Sequence, residues 1–294
     1  MMLKVKAQAK INLALDVLNE RDDGYHNVKM VMQTIDLADQ LIFYRQEQGI
    51  DIKVNLPELS TGPENLVYQA VELLAEEFDI TAGVKVEIKK NIPLAAGLAG
   101  GSADAAASLW AVNKLWDLGL TPKELRVRGA QLGADVPFCL WGGTKLATGI
   151  GTDLAELPAV PDLDLVVVNP PYKISTPEVY SHFSGSRNEL AADKLLSALQ
   201  QQDKQQIISY LSNDLGQIAT DLYPELAELK EKVDELTSKA IISGSGPTVL
   251  GVVSNKQTAE EVTAELKQKL TSDYQITAAK TVDYSLKTEN ISLQ

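Results

Sequence analysis

Apolar and polar residues alternate almost without interruption at the start of the chain. Leu3, Val5, Ala7, Ala9, Ile11, Leu13, Leu15 and Val17 take one parity, and Lys4, Lys6, Gln8, Lys10, Asn12 and Asp16 take the other. A period of two is the mark of a strand with one buried face, and it sets Lys10 and Asn12 on the same side. Most such polar rows face solvent, which suits Lys4 and Lys6. Residues 85–89 alternate in the same way, and residues 40–44 and 51–56 predict two more strands joined near Gln48-Gly49. Helical spacing appears between them. Pro63-Glu64-Asn65 opens a helix with Val67, Ala70, Leu74 and Phe78 on one face, and Ala105, Leu109, Val112 and Trp116 mark a second. Thr121-Pro122-Lys123-Glu124 is a capping box with proline at the first helical position, and its helix ends near Gly133.

The pattern then changes. Residues 141–151 predict β-structure that closes a first domain, and Pro158 and Pro161 punctuate a boundary. The apolar run 163–168 predicts a buried strand. Ser175-Thr176-Pro177-Glu178 is a second capping box leading into Val179-Tyr180. Helical patterns follow over 190–199, 205–211 and 224–236, then strand, glycine turn and strand over 240–251, a helix over 259–270 and a strand over 276–282. The expected architecture is α+β in two domains, 1–158 and 159–283, with a loose polar tail over 284–294.

Composition narrows the function. Of 294 residues, 45% are hydrophobic and 23% charged, an ordinary balance for a soluble protein with real cores. No apolar run nears the ~20 residues of a membrane span, and the start lacks a signal-peptide pattern. The net charge of −13 argues against a broad nucleic-acid surface. The single cysteine, Cys139, sits in an apolar run and reads as core; a reducing, cytoplasmic setting is expected.

Candidate chemistry centres on Pro93-Leu94-Ala95-Ala96-Gly97-Leu98-Ala99-Gly100-Gly101-Ser102-Ala103-Asp104, between a predicted strand and a predicted helix. Helix N-termini leave N–H groups free and carry partial positive charge, and glycines let an anion approach them. A tight turn with Ser102 as helix cap is the simpler reading. Three glycines within five residues exceed what one turn needs, and the alanines after them keep the helix start slim. The stretch therefore reads as a phosphate cradle made mainly of backbone. It matches neither Gly-x-Gly-x-x-Gly nor the Walker A pattern.

These residues resemble the GHMP family of small-molecule kinases, whose phosphate loop reads Pro-x-x-x-Gly-Leu-x-x-Ser. Ala103 stands where many relatives carry a second serine. Two further motifs match in order: Lys10-Ile11-Asn12-Leu13, and Ser243-Gly244-Ser245-Gly246. Gly24-Tyr25-His26 is similar to the branch whose alcohol carries a cytidyl group. The resemblance runs over residues 10–282 and implies a ribosomal-protein-S5-domain-2-like N-terminal domain and a ferredoxin-like C-terminal one. It implies ATP as phosphoryl donor, magnesium with it (its protein ligands not identified), and a cytidyl diphosphate alcohol as acceptor, phosphorylated on the 2-hydroxyl of a methylerythritol unit for isoprenoid precursor synthesis. Asp135, in Gly133-Ala134-Asp135-Val136-Pro137, would be the general base, although an aspartate there is otherwise a helix cap. Lys10 would assist it and Asn12 would fix the geometry. Tyr25 would stack on cytosine, His26 would bond its edge, and Tyr180 would form the other wall. Residues 93–104, with Gly244, Ser245 and Gly246, would surround the phosphates. Asn65 is either a plain helix N-terminal residue or part of the adenine pocket. A kinase for another small alcohol, or a nucleotide-binding module without activity, are the alternatives; neither a nucleic-acid nor a membrane partner is expected.

Overall fold

The computed structural model describes residues 2–185 and 190–290. Strand β1 (Met2–Glu20) pairs antiparallel with β2 (His26–Gln46) through a tight turn in which Arg21 pairs with Asp23 at 2.9 Å. Strand β3 (Ile50–Val54), helix α1 (Leu66–Glu77) and strand β4 (Gly83–Lys89) follow, with β3 parallel to β4 and β4 antiparallel to β2. Helices α2 (Gly100–Leu115), α3 (Pro122–Leu132) and α4 (Val136–Trp141) cover this sheet, and β5 (Thr144–Thr148) and β6 (Asp153–Glu156) extend it from β2. The Thr121–Glu124 capping box is present in both directions.

The second half opens with β7 (Asp164–Asn169), α5 (Thr176–Ser181), α6 (Ala191–Gln201) and α7 (Lys204–Tyr210). Then come β8 (Ser212–Asn213), α8 (Asp214–Leu222), α9 (Pro224–Asp234), β9 (Lys239–Ile242), β10 (Val249–Val253), α10 (Lys256–Lys269), β11 (Gln275–Val282) and β12 (Leu286–Asn290). Its sheet order β11-β7-β10-β9 is antiparallel throughout, with α10 between β10 and β11, the arrangement of a ferredoxin-like unit. Thr281 and Val282 of β11 pair with Ile35 and Thr34 of β2, so one sheet continues through both halves.

Three sequence expectations need correction. The chain just after Tyr284 is not loose: Leu286–Asn290 pairs with residues 3–7 of β1, covering what would otherwise be an open edge, while residues 291–294 of the expected tail lie outside the described residues. Helix α8 is absent from the sequence reading because Gly216 looks like a breaker there; in the fold that glycine lets Ile242 approach, and a Cβ would crowd it. At Ser175 the side chain accepts the Glu178 N–H, but Glu178 Oε2 accepts the Tyr223 hydroxyl at 2.6 Å, which ties α5 to the start of α9. Part of the helix expected over 190–199 is α6, while residues 186–189 lie outside the described residues. No helix among the described residues is long and apolar enough to cross a membrane.

Candidate active site

After β4 the chain passes through Lys90-Asn91-Ile92-Pro93 into a loop whose backbone is left-handed at every second residue: φ is +51° at Ala95, +73° at Gly97 and +55° at Ala99. This is the kind of alternation from which anion-binding nests of N–H groups are made, and for alanine it is costly unless its neighbours impose it. Those neighbours lie in the second half of the chain. The Ser243 hydroxyl donates to the Gly97 carbonyl at 3.0 Å, and a Cβ on Gly97 would collide with the Ser243 carbonyl. Helix α2 begins at Gly100 behind Ala99, with no side-chain cap. Its first backbone bond runs from Ala103 N–H to Ala99, leaving the N–H groups of Gly100, Gly101 and Ser102 ahead of the helical ladder. Ser102 is therefore no cap. Ala96, Leu98 and Ala103 send their side chains into the core, so these positions offer the loop only backbone.

Asp104 departs from the sequence expectation of a nucleotide contact. Its carboxylate points inward and accepts the Lys90 ammonium at 2.6 Å. Helix α2 is buried on nearly every side, residues 103–109 without a break, so Asp104 has no route to the solvent-facing side of the loop. Asn65 likewise uses both ends of its amide locally: Oδ1 accepts Val67 N–H at 2.8 Å and Nδ2 donates to the Ser60 carbonyl at 2.6 Å. Its side chain is the cap of α1, whose start lies beside that of α2 through Leu66 and Gly101.

Strand β1 brings a lysine to the loop. Lys10 N–H donates to the Leu98 carbonyl at 3.1 Å, fixing the strand against the cradle. The Lys10 ammonium donates to Asn12 Oδ1 at 3.0 Å and lies 3.7 Å from Asp135 Oδ2. Asn12 Nδ2 in turn faces Met30 Sδ at 3.3 Å. Asp135 occupies the cap position of α4, yet its side chain makes no cap bond there. The helix-cap reading of this residue therefore does not hold. The Lys10 side chain is 8% exposed and Asp135 34%, so the ammonium is sunk and the carboxylate opens to the cleft. The polar row of β1 is thus not solvated here: Lys10, Asn12 and Asp16 are buried, covered by helices of both halves.

The cleft also holds aromatic rings. His26 lies 5.4 Å from the ring of Tyr180 and 5.7 Å, edge to face, from Phe183. Burial, with the Asp135 charge nearby, pushes the Tyr180 hydroxyl up to about 12, which keeps it protonated. Tyr25, 64% exposed, stands free at the turn before His26. The third motif completes the set. Ser245 Oγ lies 2.6 Å from Thr176 Oγ1, at the start of the helix that carries Tyr180. Asn213 Nδ2 donates to the carbonyls of Ile242 at 2.7 Å and Gly244 at 2.6 Å. The sequence reading missed Phe183, Asn213, Thr176 and Ser243 as site-building residues; only Ser243 and Thr176 stood beside motifs that could have flagged them. A cavity of about 280 Å³ opens beside the loop between residues 90–94 and 169–173.

Comparison with known proteins gives the family and the fold. The chain matches the GHMP kinases N terminal domain over residues 65–143 and the GHMP kinases C terminal domain over 195–272. It is 45% identical to the 4-diphosphocytidyl-2-C-methyl-D-erythritol kinase of Pelotomaculum thermopropionicum over 285 residues, 96% of this chain and 98% of that one. A crystal structure of 4-(cytidine 5'-diphospho)-2C-methyl-D-erythritol kinase superposes with a TM-score of 0.80 at 31% identity, covering 95% of this chain and 98% of its own. The homoserine kinase of Cytophaga hutchinsonii shares the fold, with a TM-score of 0.77 at 20% identity over 98% of this chain and 97% of that one. The chain belongs to the GHMP kinases.

Proposed function

We propose that this protein transfers the γ-phosphoryl group of ATP to the 2-hydroxyl of 4-diphosphocytidyl-2-C-methyl-D-erythritol, a step in isoprenoid precursor synthesis. The observation that carries the reading is the meeting of Lys10 and Asp135 at 3.7 Å, with the Lys10 backbone bonded to the phosphate loop itself. Phosphoryl transfer needs alignment and charge stabilisation more than covalent chemistry. The nest at Ala95 to Ala99 and the free N–H groups of Gly100, Gly101 and Ser102 hold the β- and γ-phosphates, where fixed donors act most strongly on developing charge. Gly244, Ser245 and Gly246 close the site from the other side. The cavity beside residues 90–94 receives the nucleotide base.

Asp135 takes the acceptor hydroxyl proton as general base. Lys10 stabilises the alkoxide as it forms, and Asn12 aims the ammonium. Tyr25 folds onto one face of cytosine with Tyr180 on the other, and His26 bonds the base edge. Magnesium would enter with the nucleotide, held mainly by its phosphates; among the described residues no group of three or more His, Cys, Asp or Glu could hold a metal ion by itself. The setting is the cytoplasm. A coupled assay with ATP and the cytidyl diphosphate alcohol tests the proposal. Turnover that requires the cytidyl group supports it; turnover of simple alcohols alone refutes it.

A further inference from the structure

Beneath the phosphate loop lies a charged cluster that the transfer step does not use. Lys90, just after β4, places its ammonium between the carboxylates of Asp39 on β2 and Asp104 on α2, and all three residues are buried. Asp39 is fully engaged: Oδ1 accepts the N–H groups of Asn91 at 2.6 Å and Ile92 at 2.8 Å, and Oδ2 accepts Lys90. Asp104 is not. Its Oδ2 accepts Lys90, while its buried Oδ1 has no hydrogen-bond partner among the described residues. Two ionised carboxylates against one ammonium would leave an uncompensated charge in a sealed volume, which is costly. One proton removes that excess.

The surroundings agree. Burial, opposed by Lys90 and reinforced by Asp39, pushes Asp104 up to about 8. Helix α1 packs on α2 with Val67, Ala70, Val71 and Leu74, and α3 brings Leu125 and Gly129 to the interior. From α4 comes Cys139, whose thiol is pushed up by burial and stays neutral; Lys10 and Asp135 act on that thiol from the cleft side. The charges acting on Asp104 itself are those of Lys90 and Asp39. The cluster also touches the loop. A Cβ on Gly100 would sit 3.4 Å from the Lys90 ammonium, and Asp104 is one turn into the helix whose first N–H groups face the phosphates.

We propose that Asp104 carries a proton under the loop, on the buried Oδ1 that no other group contacts, and that its loss weakens the loop's hold on the nucleotide's phosphates. The inference rests on residues 97–102 being the ATP phosphate site. A second negative charge one turn into α2 opposes the helix-end charge that attracts phosphate. By linkage, phosphate binding holds the proton in place. Asp104 is therefore a positioning residue: it acts through the loop and touches no substrate.

The experiment measures KM for ATP from about pH 6.5 to about pH 9.5 with the alcohol saturating, in the wild type and in Asp104→Asn, which is neutral throughout. The wild-type KM should rise on the order of tenfold as pH passes about 8, with the variant flat. The same rise in both proteins, or a flat wild type, overturns the proposal. Binding of MgADP to the wild type near pH 8, by calorimetry in buffers of differing ionisation enthalpy, gives a second reading that needs no variant and no turnover. Net uptake of a fraction of a proton supports the proton on Asp104, and zero uptake overturns it. Absence of ATP turnover with any alcohol would instead remove the functional reading, leaving the calorimetric result to stand alone.

Discussion

Two lysine–aspartate groupings flank the phosphate loop, built from the same residue types and put to opposite uses. Lys10 reaches Asp135 at 3.7 Å, and that carboxylate is 34% exposed to the cleft. Lys90 sits between Asp39 and Asp104 with all three side chains sealed, at 1%, 0% and 4% exposure. A loosely held ammonium beside an open carboxylate can follow charge as it moves in a reaction. In the closed cluster both oxygens of Asp39 are spent on the N–H groups of Asn91 and Ile92 and on Lys90, which fixes where the loop departs from β4. Burial, rather than residue identity, separates the group that reacts from the group that holds.

That contrast can be broken from either side. The largest effect belongs to the open pair: Asp135→Asn should lower kcat by ~10²–10⁴-fold with nucleotide affinity largely kept, and near-normal turnover would remove Asp135 as base. In the sealed cluster, Lys90→Met leaves two buried carboxylates without their cation and should cost about 3–5 kcal/mol of stability, read as a lower urea midpoint. An unchanged midpoint would mean that water reaches the cluster. Tyr25→Ala removes a stacking surface far from both lysines and should cost roughly 1–3 kcal/mol of alcohol binding; an unaltered KM for the cytidyl substrate rules out the slot. Ser243→Ala deletes one hydroxyl-to-carbonyl bond on Gly97 and should raise KM for ATP by roughly two- to tenfold, about 0.5–1.5 kcal/mol, with kcat little moved. An equal fall in kcat would place Ser243 in the transfer step instead.

Much of this was legible in the sequence, for identifiable reasons. Strict alternation from Leu3 to Val17 fixed Lys10 and Asn12 on one face, because period two leaves no other choice. The glycine-rich loop between β4 and α2 followed from glycine spacing at a strand–helix junction. Local pattern could not show that Ala95 and Ala99 take left-handed backbone, or that Ser243, far along the chain, holds Gly97 between them. Nor could it reveal where Asp104 points. One helical turn separates an exposed loop position from a buried one, and only the packing of α2 sets that angle. Asn213 was invisible for a similar reason: its amide gains meaning from the Ile242 and Gly244 carbonyls it binds across the fold.

The most direct measurement follows the phosphorus. Wild-type protein is incubated with ATP and 4-diphosphocytidyl-2-C-methyl-D-erythritol, and the product is read by ³¹P NMR alongside Asp135→Asn. The account predicts a new phosphomonoester on the 2-hydroxyl, formed by the wild type and nearly absent with the variant. A product phosphorylated at another position, or one formed equally well by both proteins, would contradict it.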